Sequence, residues 1–188
     1  MMSKIKPVLV LSLIMTVVSA LLIVTHNLTY VDTSGILTDE LREKCVSVMG
    51  EGEYGVVTDW KAEGYAIDKP DTIAKLIKKS DGEVAFEIIV KGYNKDGLDL
   101  LIAMNNDGSV KGIEIVSISE TPGLGTKVDN SSFLSKFTGM NSTVEIVKKA
   151  PSAENQIEAV TGATYSSKGV AEAVNIAIET YREMGAVK

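Results

Sequence analysis

Histidine and cysteine are almost missing: the 188 residues hold one of each, His26 and Cys45. So few ligating side chains cannot assemble the usual zinc, haem or iron–sulfur sets. No disulfide can close within the chain. A Ser/His/Asp or Cys/His set for nucleophilic catalysis is excluded as well, because the one imidazole directly follows an apolar N-terminal run. Basic surplus is the next absence. Nineteen Lys and Arg face 25 Asp and Glu, the formal net charge is -6, and no basic stripe is visible, so nucleic acid is not an expected partner. Internal repeats and low-complexity runs are lacking too.

What the chain does have begins with an uninterrupted apolar run over 7–24, close to the length that crosses a bilayer. The alternative is a cleaved signal peptide with Val18-Ser19-Ala20 as its small-residue site, although Leu21 to Val24 carry the apolar run past it. Lys4 and Lys6 precede the run, and no Lys or Arg occurs over 7–31. This charge asymmetry predicts an N-terminus in the cytoplasm and a domain on the outer face. Ser12, Thr16, Ser19 and Ala20 share one helical face. They read either as a contact surface for another transmembrane helix or as hydroxyls bonded to their own backbone. The expected organisation is a cytoplasmic stub (1–6), a membrane anchor (7–25), a membrane-proximal part (26–82) and a core (83–188), the last two forming one soluble domain.

Within that domain, Leu41, Cys45, Val48 and Met49 recur at helical spacing behind the capping candidate Thr38. A strand is expected within 54–60, then a short helix capped by Asp71 and carrying Ile73, Leu76 and Ile77 up to the Asp81-Gly82 turn. Runs at 84–91, 98–104 and 110–117, separated by the Asn94 to Gly97 and Asn105 to Gly108 turn clusters, predict an antiparallel meander. A short helix opened by Ser131 with Phe133, Leu134 and Phe137 follows, then a strand within 143–148 and a polar stretch from Pro151. Val170, Val174, Ala177, Ile178 and Tyr181 mark a final amphipathic helix that stops at Gly185. Strands in a block with helices at both ends give an α+β domain: one twisted antiparallel sheet with helices packed on it.

Two stretches carry chemistry. Glu158-Ala159-Val160-Thr161-Gly162-Ala163-Thr164 runs into the start of the last helix, where unpaired N–H groups and a partial positive charge accommodate phosphate. Gly162 and Ala163 have almost no side chain, so another molecule can approach beside the Thr164 hydroxyl. The plain alternative is a small-residue loop capping a helix through Ser166 or Ser167. Upstream lies Glu120-Thr121-Pro122-Gly123-Leu124-Gly125-Thr126-Lys127. There a Pro-Gly turn exposes the apolar Leu124 at a tip, unless something such as a flat ring covers it.

Glu-x-x-Thr-Gly-Ala-Thr resembles the flavinylation motif of the FMN-binding domains in the Rnf and sodium-translocating NADH:quinone reductase complexes. Glu158 stands where the family carries Asp. The Glu-Thr-Pro-Gly-Leu-Gly loop resembles the loop that borders the isoalloxazine in the same family, and the two occur in the same order. The resemblance implies FMN joined through its phosphate to Thr164 by a separate flavin transferase. Thr161, Gly162, Ala163, Glu120, Thr121, Gly123, Leu124, Gly125 and Lys127 would surround the cofactor. It further implies electron transfer alongside partner membrane subunits in an ion-translocating complex, and chain length favours the Rnf branch. Two other readings remain: a flavinylated carrier of another membrane redox system, and an anchored binding or assembly module without flavin.

Overall fold

A computed structural model describes residues 2–29, 35–95 and 97–185. They fall into two units, Met1–Thr33 and Ser34–Lys188. The first is helix α1, Met2–Thr29, within which Val8–Thr29 is long and apolar enough to cross a membrane. Inside α1 the Ser12 hydroxyl donates to the Leu9 carbonyl at 3.0 Å and the Thr16 hydroxyl to the Ser12 carbonyl at 2.9 Å. Internal bonds of this kind satisfy a hydroxyl without water or a partner helix. Tyr30 to Ser34, Asp96 and the last three residues lie outside the described residues, so the turn cluster at 94–97 is described only in part.

The second unit is built on a five-stranded antiparallel sheet in sequence order: β1 (Tyr54–Val57), β2 (Ile73–Lys79), β3 (Val84–Val90), β4 (Leu98–Met104) and β5 (Val110–Ile118). The expected meander is present and extends two strands further toward the N-terminus. The helix expected after Asp71 is instead β2. Ile73, Leu76 and Ile77 sit at helical spacing, but a bulge between Ile73 and Lys75 shifts the register. Ile73 and Leu76, of opposite parity, thus land on the same face, where both are fully buried. An irregular strand has imitated a helix.

Alternation along the strands sends side chains to two cores. Val84, Phe86, Ile88 and Val90 of β3 with Leu98, Leu100, Ile102 and Met104 of β4 face helix α4, Thr164–Glu183. Val170, Val174, Ala177, Ile178 and Tyr181 of α4 meet them, as the periodicity predicts. Side chains such as Val170, Val174 and Ile178, all but absent from the surface, each contribute about 1.5–3 kcal/mol. The opposite face carries Ile77, Ala85, Leu101 and Ala103, covered by Leu41, Cys45 and Met49 of helix α2, Asp39–Met49. Thr38 caps α2 by accepting from the Leu41 N–H at 3.3 Å. Cys45 is fully enclosed. Burial, then Glu87 nearby, pushes its thiol up to about 11 against the opposing pull of Arg42, so at neutral pH it is an inert core group.

Helix α3 (Ser131–Leu134) is capped by Asn130, one residue before the expected Ser131. The expected strand at 143–148 forms as β6, Glu145–Val147. It pairs in parallel with β7, Gln156–Glu158, inside the stretch read as merely polar; Ile157 alone is buried there. Chain direction now places the site. Val90, Leu98 and Ile118 lie side by side in register, so the β3–β4 turn and the loop leaving β5 emerge from the same end of the sheet. Helix α4 begins at that end too. At Gly169 a Cβ would lie 2.4 Å from the Lys91 carbonyl oxygen, so only glycine lets α4 come this close to the strand ends.

Candidate functional site

Three segments meet at this end of the sheet around a cleft of about 330 Å³. Tyr93 comes from the β3–β4 turn; Thr121, Leu124 and Gly125 come from the loop after β5; Gly162 to Ser166 form the entry to α4. The two motifs, some forty residues apart in sequence, therefore share one site. Their closeness is direct, since a Cβ at Gly162 would lie 3.6 Å from both Leu124 Cδ2 and Lys127 Nζ. Gly162 has φ +83°, in the left-handed region, which lets the chain turn sharply into the helix beside the cleft.

Thr164 is the first residue of α4 and is half-buried in the cleft wall. The residue before it, Ala163, occupies the N-cap and has no side chain with which to cap. The capping role proposed for Ser166 or Ser167 is thereby corrected. Both serines are buried in the first turn and point elsewhere. Ser167 Oγ accepts from the Val160 N–H at 3.0 Å and fastens the incoming strand to the helix. Ser166 Oγ donates to Glu120 Oε2 at 2.6 Å. No side chain caps the start of α4, and Gly162 to Ser166 line the cleft, the arrangement in which a helix start receives an anion.

Glu120 stands behind the cleft wall and not in it. Its carboxylate also accepts from the Tyr93 N–H at 3.1 Å and the Asn94 N–H at 3.0 Å. One side chain thus joins the β3–β4 turn, the β5 loop and the first turn of α4. Burial alone would raise its pKa, but the bonds from Ser166, Asn94 and Tyr93 outweigh burial and hold the carboxyl below the usual range, so it stays ionised. Glycines make room for it. A Cβ at Gly97 would come within 2.0 Å of Glu120 Oε1, and one at Gly125 within 2.3 Å of Oε2.

The remaining candidates divide between two surfaces. Thr121 and Gly125 line the cleft. Leu124 does too, and it is half exposed, as its position at a turn tip predicts. Gly123 adopts φ +72° and its N–H donates to Thr126 Oγ1 at 3.0 Å, bracing the loop from behind. Thr161, Glu158 and Lys127 line a neighbouring polar depression of about 270 Å³ together with Asn130, Ser132 and Lys136. Tyr93 and Tyr165 belong to the cleft and lie outside both motifs. Their signal in the sequence was proximity: Tyr165 follows Thr164, and Tyr93 precedes the Asn94 turn. Among the described residues no group of three or more His, Cys, Asp and Glu is arranged to hold a metal.

The features fit a phosphorylated flat ligand: a helix start without a side-chain cap, a glycine and an alanine that leave the backbone beside it approachable, and an apolar cleft in the volume range of small-molecule sites, about 300–1,000 Å³. A family model described as an FMN-binding domain matches residues 92–179, which includes both motifs. The G subunit of a Na(+)-translocating ferredoxin:NAD(+) oxidoreductase complex from Acetobacterium woodii is 30% identical, over 95% of this chain and 94% of that one. The G subunit of a proton-translocating ferredoxin:NAD(+) oxidoreductase complex from Clostridium ljungdahlii is 40% identical over 47% of this chain and 48% of its own length. Among solved structures, the C subunit of Na(+)-translocating NADH-quinone reductase from Parabacteroides distasonis matches with a TM-score of 0.51 and 20% identity, covering 79% of this chain and 84% of that one, a likeness of fold. With both motifs folded into one cleft and a relative matching along nearly its whole length, the chain belongs to the G-subunit family of ion-translocating (Rnf) oxidoreductase complexes and carries that family's FMN-binding domain.

Proposed function

We propose that this protein carries electrons through FMN held as a phosphoester on the Thr164 hydroxyl, within a membrane complex that exchanges electrons between ferredoxin and NAD(+). The observation that carries this reading is the convergence of Thr164, at a helix start without a side-chain cap, with the Thr121–Gly125 wall in one cleft. Bound FMN supplies reversible electron transfer. The protein supplies position. The first-turn N–H groups of α4 and the Lys127 ammonium beside Gly162 receive the phosphate charge, while Leu124 offers the ring an apolar neighbour. Ala163 and Gly162 leave the Thr164 oxygen open to a flavin transferase, the maturation partner this reading requires.

Lys4 and Lys6 on one flank of the apolar run favour an N-terminus in the cytoplasm and an FMN domain on the outer face. Electrons that reach it from the cytoplasm then cross the membrane through partner subunits. Protease added to right-side-out spheroplasts is expected to digest the chain beyond Thr25; cleavage confined to the N-terminal stub would reverse the topology.

The attachment is tested by coexpressing the full chain with a flavin transferase. The denatured protein should retain yellow fluorescence and gain the mass of FMN less one water on the peptide containing Thr164. Thr164→Val, similar in shape but lacking the oxygen, should lose both signals. Ser167→Ala should keep them, because its hydroxyl braces Val160 and offers no acceptor oxygen to the cleft. Flavin retained after denaturation in Thr164→Val would move the acceptor to Thr161 or Ser166 and overturn the assignment.

A further inference from the structure

Outside α1, five large apolar side chains are strongly exposed among the described residues: Ile36, Ile89, Tyr93, Leu124 and Tyr165. Single exposed apolar residues are ordinary, but three of these five line the same cleft as Thr164. Tyr93 is 73% and Tyr165 68% exposed, yet neither sits on a loose tip. The Tyr93 backbone is held by its N–H bond to Glu120, and Tyr165 lies in the first turn of α4. Their rings meet edge to face, with centroids 6.1 Å apart and planes at 71°. An exposed aromatic pair on a braced backbone, lining one cleft with an exposed leucine, suits one kind of occupant, a flat conjugated ring.

We propose that Tyr93 and Tyr165 form an aromatic wall against which the isoalloxazine ring lies, placing two phenols as its nearest electron donors. The proposal rests on the reading that FMN is held in this cleft, and it assigns residues that neither motif contains. Two neighbouring rings set at a steep angle cannot both lie flat on one plane. One therefore packs on the face of the ligand and the other against its edge, the two geometries aromatic pairs prefer, each worth about 0.5–1.5 kcal/mol beyond the area covered. A phenol this close has an optical consequence. It gives one electron to the photoexcited ring and takes the same electron back, with no net oxidation or proton loss, so emission is quenched.

The test uses FMN-loaded full chain in detergent, with the flavin fluorescence lifetime and visible circular dichroism as readouts. Tyr93→Phe and Tyr165→Phe keep an aromatic face but remove the easily oxidised phenol. The double variant should lengthen the mean lifetime severalfold and each single variant by less, the two quenching rates being additive, and all three should retain the dichroic band. Tyr93→Leu and Tyr165→Leu should lengthen the lifetime and weaken that band. Tyr65→Phe, packed on Trp60 away from the cleft, should change neither. Attachment is measured separately, by mass after denaturation. A chain that gains the FMN mass but shows wild-type lifetimes in both single phenylalanine variants and their double mutant would overturn the aromatic wall and leave the attachment standing. If no mass is gained, the same lifetimes are read with FMN added to the native chain and judged by the same outcomes. Failure to bind added FMN overturns both readings.

Discussion

Helices α2 and α4 pack on opposite faces of one sheet, and they begin differently. Thr38 closes α2 with its own hydroxyl, and the helix continues into a plain apolar core around Cys45. At the start of α4, Ala163 leaves the first turn without a side-chain cap, while the serines that could have served are buried and bonded to other segments. Since a missing cap costs about 1 kcal/mol, its omission in the longer helix of the two leaves a helix start beside the cleft open to an anion. The α2 face closes its helix start with its own side chain. The α4 face gives up some stability to leave donors open.

The contrast breaks most readily at Glu120. Glu120→Ala removes the acceptor of three donors and should cost about 3 kcal/mol, a fall in melting temperature of roughly 6–12 °C for a domain of this size. It should also reduce flavin loading, because the three walls of the cleft lose their common tie. Normal loading at a normal melting temperature would show that the walls stand without it. The clamp has an acid limb as well. Because the folded-state pKa of Glu120 is depressed, its stabilisation is present above the ordinary glutamate value and is lost as pH falls through the lower folded value. Glu120→Gln should flatten that part of the pH profile.

Asp99 sharpens the comparison from the α2 face of the sheet. Its Oδ1 is buried without a hydrogen-bond partner among the described residues. Burial, reinforced by Glu87 and opposed by Lys75, pushes its carboxyl up to about 6. A carboxylate raised above its unfolded value carries no penalty at low pH, and the penalty grows as pH rises from the unfolded value toward the folded one. Asp99→Asn should therefore stabilise the chain by about 1–2 kcal/mol above pH 7, discounted for partial exposure. The gain should vanish below about pH 4. Denaturant titrations at the two pH values measure it, and an equal gain at both would mean that ionisation is not its source. The smallest effect belongs to Thr38→Ala, which should cost about 1 kcal/mol and leave flavin loading untouched. Loss of flavin in that variant would erase the distinction between the two helices.

Much of this architecture is legible in the sequence because alternation is clean where each face of a strand meets a different core. The limits of β3, β4 and β5 lie close to the apolar runs between their turn clusters. Legibility fails where the backbone departs from regularity, as in β2, whose bulge gives Ile73 and Leu76 a helical spacing. It fails again in β7, where Ile157 is a single buried residue in a polar run, too little for a periodic signal. For the site, Thr164, Thr121, Leu124 and Gly125 were marked by motif, and the fold brings them to one cleft. The inward turn of Glu120 is tertiary information, since its partners lie 26, 27 and 46 residues away. So is the pairing of Tyr93 with Tyr165, which only the common end of the sheet brings together.

The tie made by Glu120 involves protein groups alone: two backbone amides, one serine hydroxyl, and glycines that leave it space. Nothing in it waits for a ligand. The chain can therefore complete its folding first and receive its cofactor afterwards, so an unloaded molecule is a finished recipient and not a misfolded one. Cofactor entry then follows folding, and because anything that binds only the folded state stabilises it, loading adds to a stability the chain already has.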